Sequence, residues 1–284
     1  MQVVAVLGAG TMGHGIAQVC AQAGYEVWLR DVKDEFVRRG LDGIAGNLRK
    51  GVEKGKLRPE DKDAAIARVR GTTSLVDACK AADLVIEAVP EDLDLKRRTF
   101  QEVETFAPPH ALLATNTSSL SIAEVAQPLR AKERFLGLHF FNPVHLMKLV
   151  EVVRGPATSE ASVGKALEVA RRLGKEPIVV RDSPGFATSR LGVVIGLEAM
   201  RMLEEGVASA EDIDKAMELG YNHPMGPLRL SDLVGLDVRL GIAEYMFKKT
   251  GRDAFKPPDI LRRLVAEGKL GKKTGQGFHA WPKA

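Results

Sequence analysis

QVVAVLGAGTMGHGIAQVCAQAG (residues 2–24), followed by YEVWLRD (25–31), decides the fold. Residues 2–8 are an apolar run without polar alternation, the signature of a strand buried on both faces. Gly8, Gly10 and Gly13 then form a Gly-x-Gly-x-x-Gly pattern, and helical periodicity runs from Thr11 to a stop at Gly24. Alone the pattern is weak, because glycine turns are common. Between a strand and a helix each glycine acquires a distinct role. Gly8 permits the tight turn, Gly10 lets backbone approach a pyrophosphate, and Gly13 lets helix pack on strand. Thr11 and Met12 complete the loop, and the first helical N–H groups, which lack intrahelical partners, attract phosphate. Asp31 ends the second strand, 23 residues after Gly8. A carboxylate there accepts hydrogen bonds from the adenosine ribose and repels a 2′-phosphate, so NAD is expected in preference to NADP. Arg30 and Lys33 beside it are the groups that could turn toward such a phosphate.

Outward from this stretch, further strands are expected at 82–90, 111–118, 134–141, 148–155 and 177–182, with helices near 93–107, 121–130 and 159–173. A Lys/Arg-rich stretch up to Arg68 has apolar residues at helical spacing. Such alternation implies a parallel sheet covered by helices. Ser183-Pro184-Gly185 breaks the pattern, and beyond it only helical periodicity remains, at 186–205, 209–219, 227–249 and 258–267. The expected architecture is therefore an α/β Rossmann-type dinucleotide-binding domain over 1–182 and an all-α C-terminal domain over 183–284.

Composition narrows the function classes. The 284 residues are 45% hydrophobic and 27% charged, a globular profile. Lys plus Arg total 41 and Asp plus Glu 37, interspersed, which leaves a net charge of +4 and no nucleic-acid footprint. No apolar run reaches the roughly 18 residues of a membrane span; the best candidate, LGVVIGLEAM, is interrupted by Glu198. The first strand has no basic segment before it and the C-terminus carries no retention or lipidation motif, so a cytoplasmic protein is expected. Cys20 and Cys79 lie in apolar helical segments and read as buried small hydrophobes. Scarce Asn and Gln beside abundant Arg, Lys and Glu resemble thermophilic usage.

None of the six histidines is spaced with Cys or carboxylates as a metal site requires. His139 lies near the end of the run RFLGLHFF, and Glu151 lies on the returning strand KLVEVVRG. If the two runs pair antiparallel about His145, positions 139 and 151 face each other, each six residues from the centre. A carboxylate opposite an imidazole favours the imidazolium and fixes its tautomer, which suits a general base taking a hydroxyl proton while hydride leaves the carbon. Asn116 and Ser118 lie at the end of another expected strand, on the carboxyl edge that borders the cofactor crevice. They are placed either to touch nicotinamide ribose or substrate, or to cap the helix at 121.

GAGTMGHGIA, EAVPEDLDLK, ATNTSSLSI, GLHFFNPVHLMKLVEVV, DSPGF, EDIDKAMELGYNHPMGPLRLSDLVGLD and GKKTGQGF together resemble the short-chain end of the 3-hydroxyacyl-CoA dehydrogenase family, over essentially the whole chain. The resemblance implies NAD-dependent, reversible oxidation of the 3-hydroxyl of an acyl-CoA to the 3-keto form. It implies His139 as general base, Glu151 as its orienting partner, and Ser118 and Asn142 as hydrogen-bonding groups around substrate and reaction centre. Glu91, Lys96, Asn116, Ser118, Asn142 and Lys273 match positions that contact NAD. The helical domain is implied to form a homodimer interface and to close over the acyl-CoA. One position departs: the family's PGF-x-x-N-R pattern has Asn where this chain has Ser189, whose hydroxyl is shorter and offers no amide donor. The anionic CoA phosphates should meet basic residues, and Lys50 and Lys54, within NLRKGVEKGK, are the candidates, with a solvated helix face as the plain alternative. Two other readings stand beside this one. A dehydrogenase of a free hydroxy acid would not require the CoA moiety. A non-catalytic NAD-binding structural or redox-sensing protein would have no need of a base facing the crevice.

Overall fold

Strand β1 (Val3–Leu7) lies within the sheet with Val4 to Leu7 fully buried, as the unalternated apolar run requires. The structure is a computed structural model, in which residues 1–282 are described. It divides into two compact units, Met1–Ser183 and the chain from Pro184 on. The first holds β1, α1 (Thr11–Gln22), β2 (Glu26–Arg30), α2 (Asp34–Glu53), α3 (Pro59–Ala67), β3 (Val69–Thr72), α4 (Leu75–Cys79), β4 (Leu84–Glu87), α5 (Leu93–Phe106), β5 (Leu112–Thr115), α6 (Ile122–Val125), β6 (Phe135–Phe140), β7 (Leu149–Arg154), α7 (Glu160–Arg172) and β8 (Glu176–Arg181).

These strands form one eight-stranded sheet in the order β3-β2-β1-β4-β5-β6-β7-β8. Pairing is parallel from β3 to β6, antiparallel between β6 and β7, and parallel again between β7 and β8. The order reverses beside β1, and that switch point opens a crevice at the carboxyl ends of the strands. Helix α1 presents Gly13, Gly15, Ala17 and Ala21 among its buried residues, and the thin face admits close neighbours. A Cβ on Gly15 would stand 2.9 Å from Val144 Cγ2, in the turn after β6. Helices α5 and α7 begin at Asp92 and Ser159, whose side chains accept the N–H of Leu95 and Ser162; such caps contribute about 1 kcal/mol each. The edge strand β8 leaves Ile178 and Val179 39% and 49% exposed.

Several elements of this unit are shorter than the sequence reading, the strand expected over 82–90 ending at Glu87 among them, and two were absent from it. The helix expected over 121–130 is the single turn α6, followed by turns. The strand expected over 111–118 ends at Thr115, and Asn116 to Ser118 form a loop. β3 and α4 carry weak signals: β3 is four half-exposed or exposed residues containing Gly71, against which Val37 of α2 packs so closely that a Cβ would lie 2.4 Å from Val37 Cγ1.

The second unit contains α8 (Thr188–Glu204), α9 (Ala210–Gly220), α10 (Pro227–Val234), α11 (Leu236–Thr250) and α12 (Asp259–Ala266) around Val193, Leu197, Met200, Leu228, Met246 and Leu261. The helix expected over 227–249 is two helices, because Gly235 takes φ +102°, a conformation that breaks α-helical pairing. Two buried aspartates hold the C-terminal segment. Asp214 accepts from the N–H groups of Leu228 and Arg229 and bonds His279 Nε2 at 2.7 Å. Asp232 accepts from the N–H groups of Phe278 and His279 and from Trp281 Nε1. Among the described residues no helix is long and apolar enough to cross a membrane.

Candidate active site

At one end of the crevice the Gly8–Gly13 loop is shaped by space. Gly8 has φ +101°, and a Cβ there would stand 2.5 Å from the Ala88 carbonyl oxygen. A Cβ on Gly13 would lie 1.7 Å from the Gly8 oxygen. In front of Gly10 a Cβ would meet nothing within 4 Å, so backbone here is open to an incoming group. Helix α1 has no side-chain N-cap, which leaves its first N–H groups for an anion. Asp31 is locked to this loop: Oδ2 accepts from Ala9 N–H and Oδ1 from Val32 N–H, both at 2.7 Å. The loop, Thr11, Met12, Asp31, Phe36, Arg39 and Val89 line a cavity of about 690 Å³. An open glycine backbone, an uncapped helix and a carboxylate fixed beside the loop fit a dinucleotide.

Met12, Ala88 and Val89 also border a second cleft of about 360 Å³, lined further by Glu91, Lys96, Asn116, Ser118, His139 and Asn142. The antiparallel register places His139 directly opposite Glu151, and His139 Nδ1 lies 2.7 Å from Glu151 Oε2. Glu151 is fully buried and His139 nearly so. An acceptor-only carboxylate at that distance assigns the ring proton to Nδ1 and makes Nε2 the basic nitrogen. Phe141 packs on the imidazole with ring centroids 4.4 Å apart. Asn116 Oδ1 accepts from Phe140 N–H, which ties the β5 loop to the strand bearing His139.

Glu91 organises the same loop. Its Oε1 accepts from the Thr117 hydroxyl at 2.5 Å and from Ser118 N–H at 3.0 Å. Lys96 is only 1% exposed, and its ammonium reaches Glu87 Oε1 at 2.6 Å, Glu91 Oε2 at 3.2 Å and the Val89 carbonyl at 3.2 Å. Its donors are therefore directed to protein groups even though it contributes to the cleft wall. Glu87 is a site residue that the sequence reading missed. It is fully buried and also accepts from the Thr115 hydroxyl and Val89 N–H. Its only trace in the sequence is a carboxylate closing the apolar run LVIE. Lys175 was missed as well: buried, it donates to the carbonyls of Val144 and Met147 in the turn that joins β6 to β7. Burial of that ammonium pushes its pKa down.

Four candidates remain: Lys50, Lys54, Ser189 and Lys273. Lys50 and Lys54 are exposed at the C-terminal end of α2. Ser189 occupies the first turn of α8, and Lys273 pairs with both carboxylate oxygens of Asp237 at 2.6 Å, both within the second unit.

A sequence profile of the 3-hydroxyacyl-CoA dehydrogenase NAD binding domain matches residues 3–183, and that of the 3-hydroxyacyl-CoA dehydrogenase C-terminal domain matches residues 185–281. The chain is 44% identical over 283 residues to a 3-hydroxybutyryl-CoA dehydrogenase of Mycobacterium tuberculosis, covering 99% of each chain. It is 41% identical over 284 residues to the mitochondrial hydroxyacyl-coenzyme A dehydrogenase of Sus scrofa, covering 98% of this chain and 90% of that one. The crystal structure of (S)-3-hydroxybutyryl-CoA dehydrogenase from Ralstonia eutropha matches it with a TM-score of 0.96 at 42% identity, over 100% of both chains.

Proposed function

Because this chain belongs to the 3-hydroxyacyl-CoA dehydrogenase family along both of its units, we propose that it interconverts short-chain 3-hydroxyacyl-CoA and 3-ketoacyl-CoA with His139 as general base. Membership makes it an NAD-dependent oxidoreductase. The observation that carries the assignment of the base is the His139–Glu151 pair, buried in register at a cleft that shares three residues with the dinucleotide cavity.

Within this reading, NAD when bound supplies the two-electron acceptor for the hydrogen on C3. The chain's own work is proton handling and placement. His139 Nε2 takes the proton of the 3-hydroxyl as the carbonyl forms, and Nδ1–H keeps its bond to Glu151. The new imidazolium then faces a carboxylate 2.7 Å away in a dry setting, where charge-assisted hydrogen bonds are strongest. In reverse, the same nitrogen returns the proton to the 3-keto oxygen. Ser118 and Asn142, on the same cleft wall, hydrogen-bond that oxygen and hold it against the base. Asp31 receives the adenosine ribose, while Glu91, Asn116, Lys96 and Lys273 belong to the cofactor side. Ser189 substitutes a hydroxyl for an amide toward substrate, and Lys50 and Lys54 meet the CoA phosphates.

A homodimer through the helical unit completes the proposal. It is supported by the apolar side chains this unit leaves exposed, among them Leu191, Leu219, Leu230, Val234 and Val238.

The test is the absorbance of NADH mixed with acetoacetyl-CoA, repeated with NADPH and with free acetoacetate. Oxidation of NADH with the CoA ester alone is the expected result. His139→Ala should lower kcat by about 10²–10⁴-fold with the Kd for NADH unchanged. Near-normal turnover in that variant would reject the base assignment.

A further inference from the structure

Three charges at the wall of the second cleft do not cancel. Glu87 ends β4, Lys96 lies on α5, and Glu91 belongs to the loop between them. Lys96 Nζ contacts one oxygen of each carboxylate, at 2.6 Å and 3.2 Å. Two carboxylates and one ammonium carry a net charge of about −1 when all are ionised. The contacts of Glu87 suit its ionised form. It accepts from an ammonium, from Val89 N–H and from the Thr115 hydroxyl, and that hydroxyl in turn accepts from Thr117 N–H. Burial raises the Glu87 pKa, and Lys96, the Thr115 hydroxyl and Val89 N–H offset only part of that rise.

We propose that this triad sets the oxidation-state preference of the bound nicotinamide, its uncompensated negative charge holding the cationic oxidised ring more tightly than the neutral reduced one. The inference rests on the reading of the second cleft as the nicotinamide end of the NAD site. The two forms of the cofactor differ at the ring by one unit of charge, so a fixed charge near it acts on their ratio and not on their shared contacts. At about 12 Å and an effective dielectric of about 20, one unit charge alters such a ratio by roughly tenfold.

The other charges in the neighbourhood act differently. Glu151 adds a second negative charge, but it is offset whenever His139 is protonated, so it varies through the reaction. Arg30 and Arg39 line the other cavity, beside Asp31, where Arg30 donates to the Thr73 carbonyl and Arg39 pairs with Glu35. The triad is the constant part of the field.

The test measures the Kd values of NAD⁺ and NADH for the full chain and for two variants chosen to shift the charge in opposite directions. Glu87→Gln removes a negative charge with little change of shape, and should weaken NAD⁺ binding by about three- to tenfold while leaving NADH within about twofold. Lys96→Gln removes the cation and should move the ratio the other way. If one variant melts below the assay temperature, the sign of the other still decides. Equal factors for both nucleotides, or shifts in the same direction in both variants, would reduce the triad to a structural brace and overturn the proposal. Failure of the unaltered chain to bind either nucleotide would overturn the cofactor-site reading, and the tuning with it.

Discussion

At the Gly8–Gly13 end of the crevice the cradle itself is the backbone of one stretch of chain, with Asp31 hydrogen-bonded to it. At the His139 end the parts come from β4, β5, β6 and β7 and meet through side chains. The difference is one of contact range. A backbone cradle is specified by residues that leave things out, glycines whose missing Cβ atoms make room, and its position in the sequence is fixed. A side-chain constellation is specified by sheet register, so its members are far apart in sequence and can be removed singly.

The comparison makes distinct predictions for the two ends. The largest effect is expected at the register end. Glu151→Gln keeps the shape of the pair but removes the charge that stabilises the imidazolium, and kcat should fall by about a hundredfold or more, with the Kd for NADH unchanged in a fluorescence titration. A parallel loss of NADH affinity would mean that the two ends are one cooperative structure. At the backbone end, Asp31→Asn retains an acceptor for Ala9 N–H but loses the charge. It should raise the Kd for NAD by about tenfold, relax discrimination against NADP, and leave kcat at saturation unchanged. Smaller still is the effect of Lys50→Glu with Lys54→Glu, which lie at neither end. The KM for the CoA ester should rise about three- to tenfold and the rise should shrink with added salt. An unchanged KM would leave these lysines as a solvated helix face.

Legibility in the sequence follows the same division. The glycine cradle and Asp31 could be read because their spacing is the geometry. The His139–Glu151 pairing could also be read, because an antiparallel hairpin converts sequence distance into register by arithmetic, and the observed partners share the expected centre at His145. Glu87 and Lys175 could not, since what marks them is burial and partners 9 to 31 residues away. The boundaries that shifted share a cause as well. Gly235 interrupts a strong apolar periodicity with a single positive φ, and β3 is a strand held by β2 and α2 more than by its own residues. Tertiary context supplied what local propensity lacked.

The last strand of the sheet bears on how this protein is handled in solution. β8 offers Ile178, Val179 and Val180 in a row at an unpaired edge, the sort of segment that recruits a second extended chain. Pro177 removes one backbone donor from that edge, and Glu176 and Arg181 bracket the run with opposite charges. These three residues act as gatekeepers against misassembly. Replacing Pro177 with valine would extend the row to four consecutive β-branched residues and invite fibre growth before any loss of catalysis.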